Sequence, residues 1–336
     1  MAIVGNDVLT LADIKLRLGP DNKISPIIEI LDRQDEMLAD VPWMEANLPT
    51  THKTTIRTGL PVPTYRRFNQ GVATTRSSTA QVEFPMCMAS DRSELDLDLA
   101  NIGGNAAAVR FSEARPHMQA MAQSVADTLI YGDPVTNPTT DDAKIPGISF
   151  YFKDNTTANT KDHVISASGS GSDNSSIYII AWGDDTVCGI YPPGSTAGIA
   201  HNDFGECDLF DGSSRRFRGY ADEYKWNFGL AIKDWRAIVR IANIDISDLV
   251  GTTANQQALT NLVIEGLEKI PSQYRSRAKI YCNSTVKTAW RLGQRADVKS
   301  GGGLTFDNVA GKSVMMFDGY PVRTSNALTS AEATVS

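Results

Sequence analysis

Long apolar runs are missing from this 336-residue chain. No stretch approaches the roughly 20 apolar residues that a bilayer-spanning helix needs. The start, MAIVGNDVLTLADIKLRLG, lacks the charged-then-apolar pattern of a secretory signal. The expectation is a chain made and folded in a cytoplasm, without membrane contact. Cysteine is scarce: Cys87, Cys188, Cys207 and Cys282 are all there are, and no two form a CxxC pair. That excludes a zinc ribbon and gives no disulfide framework, so buried free thiols are expected. The four histidines, His52, His117, His163 and His201, form no HExxH or HxxxH pair. His117 is expected on a helix surface, and His201 beside Asn202 and Asp203 in loop hydrogen bonding. A P-loop is absent, so Gly169, Gly171 and Asp173 belong to an ordinary Ser/Gly-rich surface loop over 166–176. A GxSxG elbow is absent too, because the serine of the GSTAG stretch at 194–198 stands in the wrong place. No catalytic set, metal site or cofactor fingerprint emerges, and an enzyme is not expected. A triad assembled only in space is the catalytic alternative.

An excess of positive charge is also missing. With 32 Lys+Arg against 39 Asp+Glu the net charge is -7, so the molecule as a whole has no electrostatic reason to coat nucleic acid. At 41% hydrophobic and 21% charged residues the composition is that of a globular protein able to bury a substantial core in two lobes or more.

What is present is organised around a long helix predicted over 112–132. Met118, Met121, Ala122, Val125 and Leu129 recur at helical spacing. Ser112 is a candidate cap, Pro116 is expected in the first turn, and Gly132 as the residue most tolerant of a left-handed exit. Before it, residues 1–50 read as an arm with two short helices. One starts at Thr10 and the other at Ser25, with Ile27, Ile30, Leu31 and Leu38 as the second stripe. Such helices are marginal alone and must dock on something. The arm is acidic, with Glu29, Asp32, Asp35, Glu36, Asp40 and Glu45 against Arg33 over 29–45.

Residues 51–82 reverse that balance, carrying Lys53, Arg57, Arg66, Arg67 and Arg76 and no acidic residue. Thr, Val and Tyr are frequent, and Asn69-Gln70-Gly71 marks a turn, so two long extended segments with little apolar content are predicted. Three readings compete for this basic hairpin. It grips nucleic acid, it lies on the acidic surface of a neighbouring subunit, or it is a solvated charged face. The acidic arm and Asp91, Glu94, Asp96 and Asp98 supply acidic surface within the same sequence, which favours the second. Residues 94–99 alternate carboxylate and leucine, predicting a strand with one wet face, as on a sheet edge; three aligned carboxylates offering a cation site is the lesser reading.

Farther on, 145–152 and 177–182 read as strands and 253–270 as a helix stopped by Pro271. A strand is predicted over 278–282, a helix over 284–296 with Val286, Ala289, Trp290 and Leu292 for burial, and a flexible turn at Gly301-Gly302-Gly303. Strands between helices indicate an α/β lobe.

Several blocks carry a resemblance. Trp182-Gly183, Gly189-Ile190-Tyr191-Pro192 with Gly194, Gly198 and Gly205-Glu206, then Asp234-Trp235-Arg236, Arg240-Ile241-Ala242-Asn243-Ile244-Asp245 and the closing Gly319-Tyr320-Pro321-Val322 resemble the major capsid proteins of tailed bacteriophages of the HK97 fold. The likeness is greatest to short, podovirus-like capsid proteins. It implies an α+β chain with an N-arm at 1–50 and an extended E-loop hairpin at 51–90. A peripheral domain at 91–150 would hold the spine helix 112–132 and a long sheet, an α/β axial domain would span 151–315, and a C-terminal strand within 316–336 would return to the body.

The function so implied is structural: self-assembly into an icosahedral shell, a virion capsid enclosing double-stranded phage DNA and assembled in the host bacterial cytoplasm. Implied partners are further copies in pentamers and hexamers, a separate scaffolding protein, a portal protein and a cement or decoration protein, with weak non-specific contact to packaged DNA. No cofactor is implied. The hairpin's only lysine, Lys53, lies near its base, so noncovalent interlocking is expected in place of a covalent chainmail. Candidate inter-subunit contacts are Lys53, Arg57, Arg66, Arg67 and Arg76 against Glu29, Asp32, Asp35, Glu36, Asp96 and Asp98. The alternatives are an encapsulin-like compartment packaging an enzyme, which shares the fold, and a soluble α/β hydrolase or binding protein.

Overall fold

The computed structural model describes residues 35–102, 106–136, 143–156, 160–210, 214–296, 304–309 and 312–335. Both helices predicted at Thr10 and Ser25 begin outside the described residues, as does the Gly301-Gly302-Gly303 turn. In chain order the first elements are α1 (Glu36–Asp40), β1 (Trp43–Glu45), β2 (Thr51–Gly59), β3 (Ser78–Asp96), α2 (Leu97–Asn101), α3 (Ala106–Tyr131) and α4 (Ile148–Tyr151). Six strands follow: β4 (Val164–Ser166), β5 (Asn174–Ala181), β6 (Val187–Tyr191), β7 (Ala200–Phe210), β8 (Arg216–Ile232) and β9 (Ile238–Asp245). The last third holds α5 (Ile246–Gly251), α6 (Thr253–Lys269), α7 (Ser272–Arg275), β10 (Ala278–Cys282), α8 (Ser284–Ala296), β11 (Leu304–Val309), β12 (Lys312–Phe317) and β13 (Tyr320–Thr324).

The strands form two sheets. The first runs β1-β6-β8-β3-β2, with β7 also paired to β8. Its backbone is the antiparallel match of β3 and β8, continuous from Met86↔Gly229 to Asp96↔Gly219. Glycine is needed at both ends of that match: a Cβ on Gly219 would sit 2.4 Å from the Leu95 carbonyl, and one on Gly229 2.8 Å from Met86 and Ile190 side-chain carbons. The second sheet runs β11-β12-β13-β10-β5-β9-β4. Every residue of β5 is buried, because both faces of the strand are covered. Ile179 faces α6, where Gly266 lets the helix approach so closely that a Cβ there would lie 2.9 Å from the isoleucine. Tyr178, on the opposite face by the period-two rule, looks toward Arg240 and the chain's last residues. One large apolar core runs through both sheets, and a small second cluster joins Leu95, Ala100 and Val109.

The long helix begins at Ala106, six residues before the expected cap, and Pro116 stands inside it. Alanine, the best helix former, carries the extra turn, while the Ser112 hydroxyl donates to the Val109 carbonyl. Met121, Val125 and Leu129 are buried as the spacing predicts, joined by Ala126, Thr128 and Ile130. Gly132 has no left-handed backbone conformation. It is there for contact: its carbonyl accepts from Gly147 N–H at 2.7 Å, and a Cβ would lie 2.1 Å from the Ile145 carbonyl.

Two predicted strands are corrected. Residues 145–152 hold the helical turn α4 (Ile148–Tyr151), which buries Ile148, with Ile145 before it and Phe152 at its C-cap also buried. A short apolar run does not distinguish the two states by itself. The alternation at 94–99 ends as a strand at Asp96, whose carboxylate accepts from Asp98 N–H at 2.8 Å and caps α2. Over Glu94–Asp96 the strand pairs with β8 alone, since the β2 ladder covers only Ser78–Pro85, so among the described residues this end of β3 is an edge, as expected. The predictions over 253–270, 278–282 and 284–296 coincide with α6, β10 and α8 to within a residue.

Candidate assembly surface

The basic hairpin is built from β2 and the first part of β3, paired from Thr51↔Pro85 to Gly59↔Ser78. Pairing stops at Gly59 for a local reason: Pro61 and Pro63, two residues apart, remove backbone donors on the same side of the strand. From 60 to 77 the chain carries no ladder and turns back at Phe68 and Asn69, where Asn69 takes a φ of 61°. The Gln70 N–H donates to the Arg67 carbonyl at 3.3 Å, and Arg66 donates to the Gln70 carbonyl. Every residue from 60 to 81 is exposed.

Arg57, Arg66, Arg67 and Arg76 all lie on this projection, and no carboxylate among the described residues stands within salt-bridge distance of them. Lys53 pairs with Glu83 across the hairpin at 2.9 Å. Sequence reasoning missed the aromatic content of the tip. Tyr65 and Phe68 are each 100% exposed, and Leu60 and Val62 about three-quarters so. The signal was Tyr65-Arg66-Arg67-Phe68, two large aromatics bracketing two arginines in a segment with no core of its own.

The acidic candidates are placed differently. Asp35 caps α1 and also accepts from the Ser325 hydroxyl at 2.8 Å, while Glu36 accepts from Thr324 N–H at 3.1 Å. Both are thus engaged within their own chain. Asp96 is the cap of α2, Asp98 is exposed in its first turn, and Glu29 and Asp32 lie outside the described residues. Among the described residues no group of three or more His, Cys, Asp or Glu has metal-site geometry. Burial pushes the thiols of Cys87 and Cys282 up to about 12 and that of Cys188 to about 11, which keeps them protonated near neutrality.

A second polar group stiffens the sheet from which the hairpin projects. Arg110 of α3 makes two hydrogen bonds to Asp222 of β8, at 2.7 and 3.2 Å, and an ion pair with Asp203 of β7 at 2.6 Å. Its guanidinium lies 4.8 Å over the Tyr220 ring. His201 is in strand β7, not a loop, and meets Asp222 at 2.9 Å. His117 is no bare helix surface: its Nδ1 stands 2.5 Å from Asp91 of β3, and both histidine rings stack on Tyr224. Hydrogen bonding by Arg110 holds the Asp203 carboxyl below its ordinary range.

The most exposed of the large apolar side chains, Tyr65 and Phe68, thus stand with Arg66 and Arg67 on a projection braced by a stiff sheet, a geometry for touching other large surfaces. The molecule's class is the shell-building subunit with the HK97-like capsid fold. A family model, Major capsid protein GP7, matches residues 19–336, and the chain belongs to that family. A chain in the structure of bacteriophage Epsilon15 is 31% identical, with all of both chains covered and a TM-score of 0.75. The capsid of bacteriophage JBD30 aligns over 95% of this chain and 99% of its own at a TM-score of 0.52 and 9% identity. The SrpI encapsulin of Synechococcus elongatus PCC 7942 aligns over 71% of this chain and 96% of its own, at a TM-score of 0.44 and 9% identity. No curated protein sequence matches this chain. The subunit is a structural protein that assembles with further copies into an icosahedral phage capsid.

Proposed function

We propose that the hairpin is the subunit's main noncovalent grip on its neighbours, lying over an adjacent copy as the shell closes. The observation that carries this is the tip itself, where Tyr65 and Phe68 stand fully in solvent beside arginines that have no carboxylate partner among the described residues. Ordering such groups in solvent gains nothing, whereas burying them against another chain removes apolar area from water and desolvates charge pairs. Outside 51–82 the chain is more acidic than its net charge of -7 suggests, because that segment carries five cations and no acid. One copy thus offers both halves of a complementary contact, and a head-to-tail contact of this kind closes into rings. Many modest contacts per subunit then add up to a stable shell.

In this reading 1–50 is the N-arm, 51–90 the E-loop, 91–150 the peripheral domain, 151–315 the axial domain and 316–336 the returning C-terminal segment. Assembly takes place in the host bacterial cytoplasm with a separate scaffolding protein and a portal. A decoration protein binds the finished shell, and packaged double-stranded DNA touches it weakly. The subunit performs no catalysis.

Replacing Arg57, Arg66, Arg67 and Arg76 together with Ala is expected to leave the subunit's thermal midpoint unchanged. It should raise the concentration needed for assembly at least roughly tenfold, equivalent to about 1.4 kcal/mol per subunit. Sedimentation and electron microscopy of wild type and variant, each with and without scaffolding protein, read this directly. Wild-type assembly should weaken as salt is raised. A quadruple variant that builds normal shells in both low and high salt would refute the hairpin's role while leaving the capsid assignment intact.

A further inference from the structure

The hairpin has a second feature, at its base. A cleft of about 980 Å³ runs beside β2, lined by all seven residues from 54 to 60 and, across from them, by Lys233, Trp235, Arg236 and Tyr274. Side chains of a strand alternate between its faces, so seven consecutive residues line one cleft only if it lies along the strand's edge. β2 is the last strand of its sheet, and its other edge carries β3.

The backbone fixes which groups face the cleft. Lys53 gives its N–H to the Asn47 side chain at 2.8 Å and receives the Asn47 amide on its carbonyl at 2.6 Å. Its peptide groups therefore point away from β3, and Asn47 closes that end of the edge as a substitute strand. Two and four residues on, the N–H and C=O of Thr55 and Arg57 point the same way. No partner for them exists among the described residues. An open edge of this length is a ready template for another strand.

The charges select the occupant. The two carboxylates bordering the cleft are already matched, Asp234 by Arg236 and Asp185 by Arg277, each at 2.8 Å. Among the described residues Arg57 has no carboxylate within salt-bridge distance, and Lys233 gives its ammonium to the Asp184 carbonyl at 2.8 Å and to the Met44 sulfur. The uncompensated charge is positive, and Trp235, about a third exposed, adds an apolar wall.

We propose that this cleft binds an extended acidic segment of another polypeptide, which adds to β2 as a further strand antiparallel or parallel to Thr55–Arg57, its carboxylates meeting Arg57 and Lys233. The site lies at the hairpin's base, away from Tyr65 and Phe68; it shares Arg57 with the contact residues proposed above but does not depend on the tip's role in assembly.

The test uses unassembled full-length subunit and a fluorescently labelled eight-residue peptide alternating glutamate with valine and threonine, followed by anisotropy. Expected is saturable binding that weakens with salt and falls at least tenfold in Arg57→Ala/Lys233→Ala. A lysine-for-glutamate peptide and a peptide N-methylated on alternate amides should not bind. Thr55→Pro removes only the outward N–H, which an edge strand tolerates, and should abolish binding with the melting temperature unchanged. Trp235→Ala, away from the strand, gives a second check should Thr55→Pro alter folding, and should also weaken binding at least tenfold. Absence of saturable binding at millimolar peptide, equal binding of the lysine or N-methylated peptide, or unchanged binding in a folded Thr55→Pro subunit would each overturn the proposal.

Discussion

Glu332→Ala is expected to cost the subunit about 3–5 kcal/mol, the range for removing one partner of a buried ion pair. Glu332 lies four residues from the C-terminus in a run of small and polar residues, yet its side chain is 4% exposed and that of Arg240 is 5% exposed. The two meet at 2.8 Å. The Tyr131 and Ser176 hydroxyls donate to the same carboxylate, and Arg240 spends its other groups on Ser176 Oγ and the Phe152 carbonyl. Without Glu332 the guanidinium of Arg240 is a buried charge facing only neutral acceptors. The same tail pairs Glu332 N–H with the Asn174 carbonyl at 2.9 Å and exchanges two hydrogen bonds between Val335 and Asn243, so loosening it uncovers one face of the second sheet. Denaturant midpoints of unassembled subunit measure the loss. Arg240→Met/Glu332→Leu should recover most of it, since a matched apolar pair is often neutral relative to a buried ion pair. A single Glu332→Ala variant melting with wild type would mean that Arg240 finds compensation elsewhere.

That ion pair also shows where reading a sequence stops. Elements whose logic is local were legible: α6, β10 and α8 follow from spacing and breakers, and the basic hairpin from composition and its turn residues. Features whose partners are distant in the chain were not. Nothing near Glu332 announces Tyr131, Ser176 or Arg240, which stand 201, 156 and 92 residues away. The alternation at 94–99 carried a true amphipathic signal, but Asp96 turned it into a helix cap. At the candidate surface the arginines were visible as a run of one sign. The exposure of Tyr65 and Phe68 was not, because an aromatic residue in a sequence is ordinarily a core residue. The acidic side of the contact was read from composition alone, and Asp35, Glu36 and Asp96 turn out to serve their own chain.

Asp222→Ala is expected to cost about 2–3 kcal/mol, less than the Glu332 change because Arg110 keeps 22% of its side chain in solvent and retains Asp203. Asp222 is the junction of the cluster under α3: Arg110 reaches it from the helix and His201 from β7. The effect should be local. Between Val109, in the small Leu95–Ala100 cluster, and Met121, in the main core, no residue of α3 is buried. Pro116, inside that stretch, supplies no hydrogen bond to the preceding turn. With Asp222 gone, hydrogen exchange over 106–116 should accelerate much more than over 121–131, where packing is apolar. The pH response follows from Asp203. Arg110 holds its folded pKa below the unfolded value, so its contribution is complete above the ordinary carboxylate range and disappears as pH falls through the folded value. Because Asp203 is 46% exposed, that contribution is small, about 0.2–1 kcal/mol. Wild type should therefore lose slightly more stability than Asp203→Asn on acidification below about pH 4. Uniform acceleration of exchange along the whole of α3 in Asp222→Ala would show instead that the helix opens as one unit and that the polar cluster does not hold its first half separately.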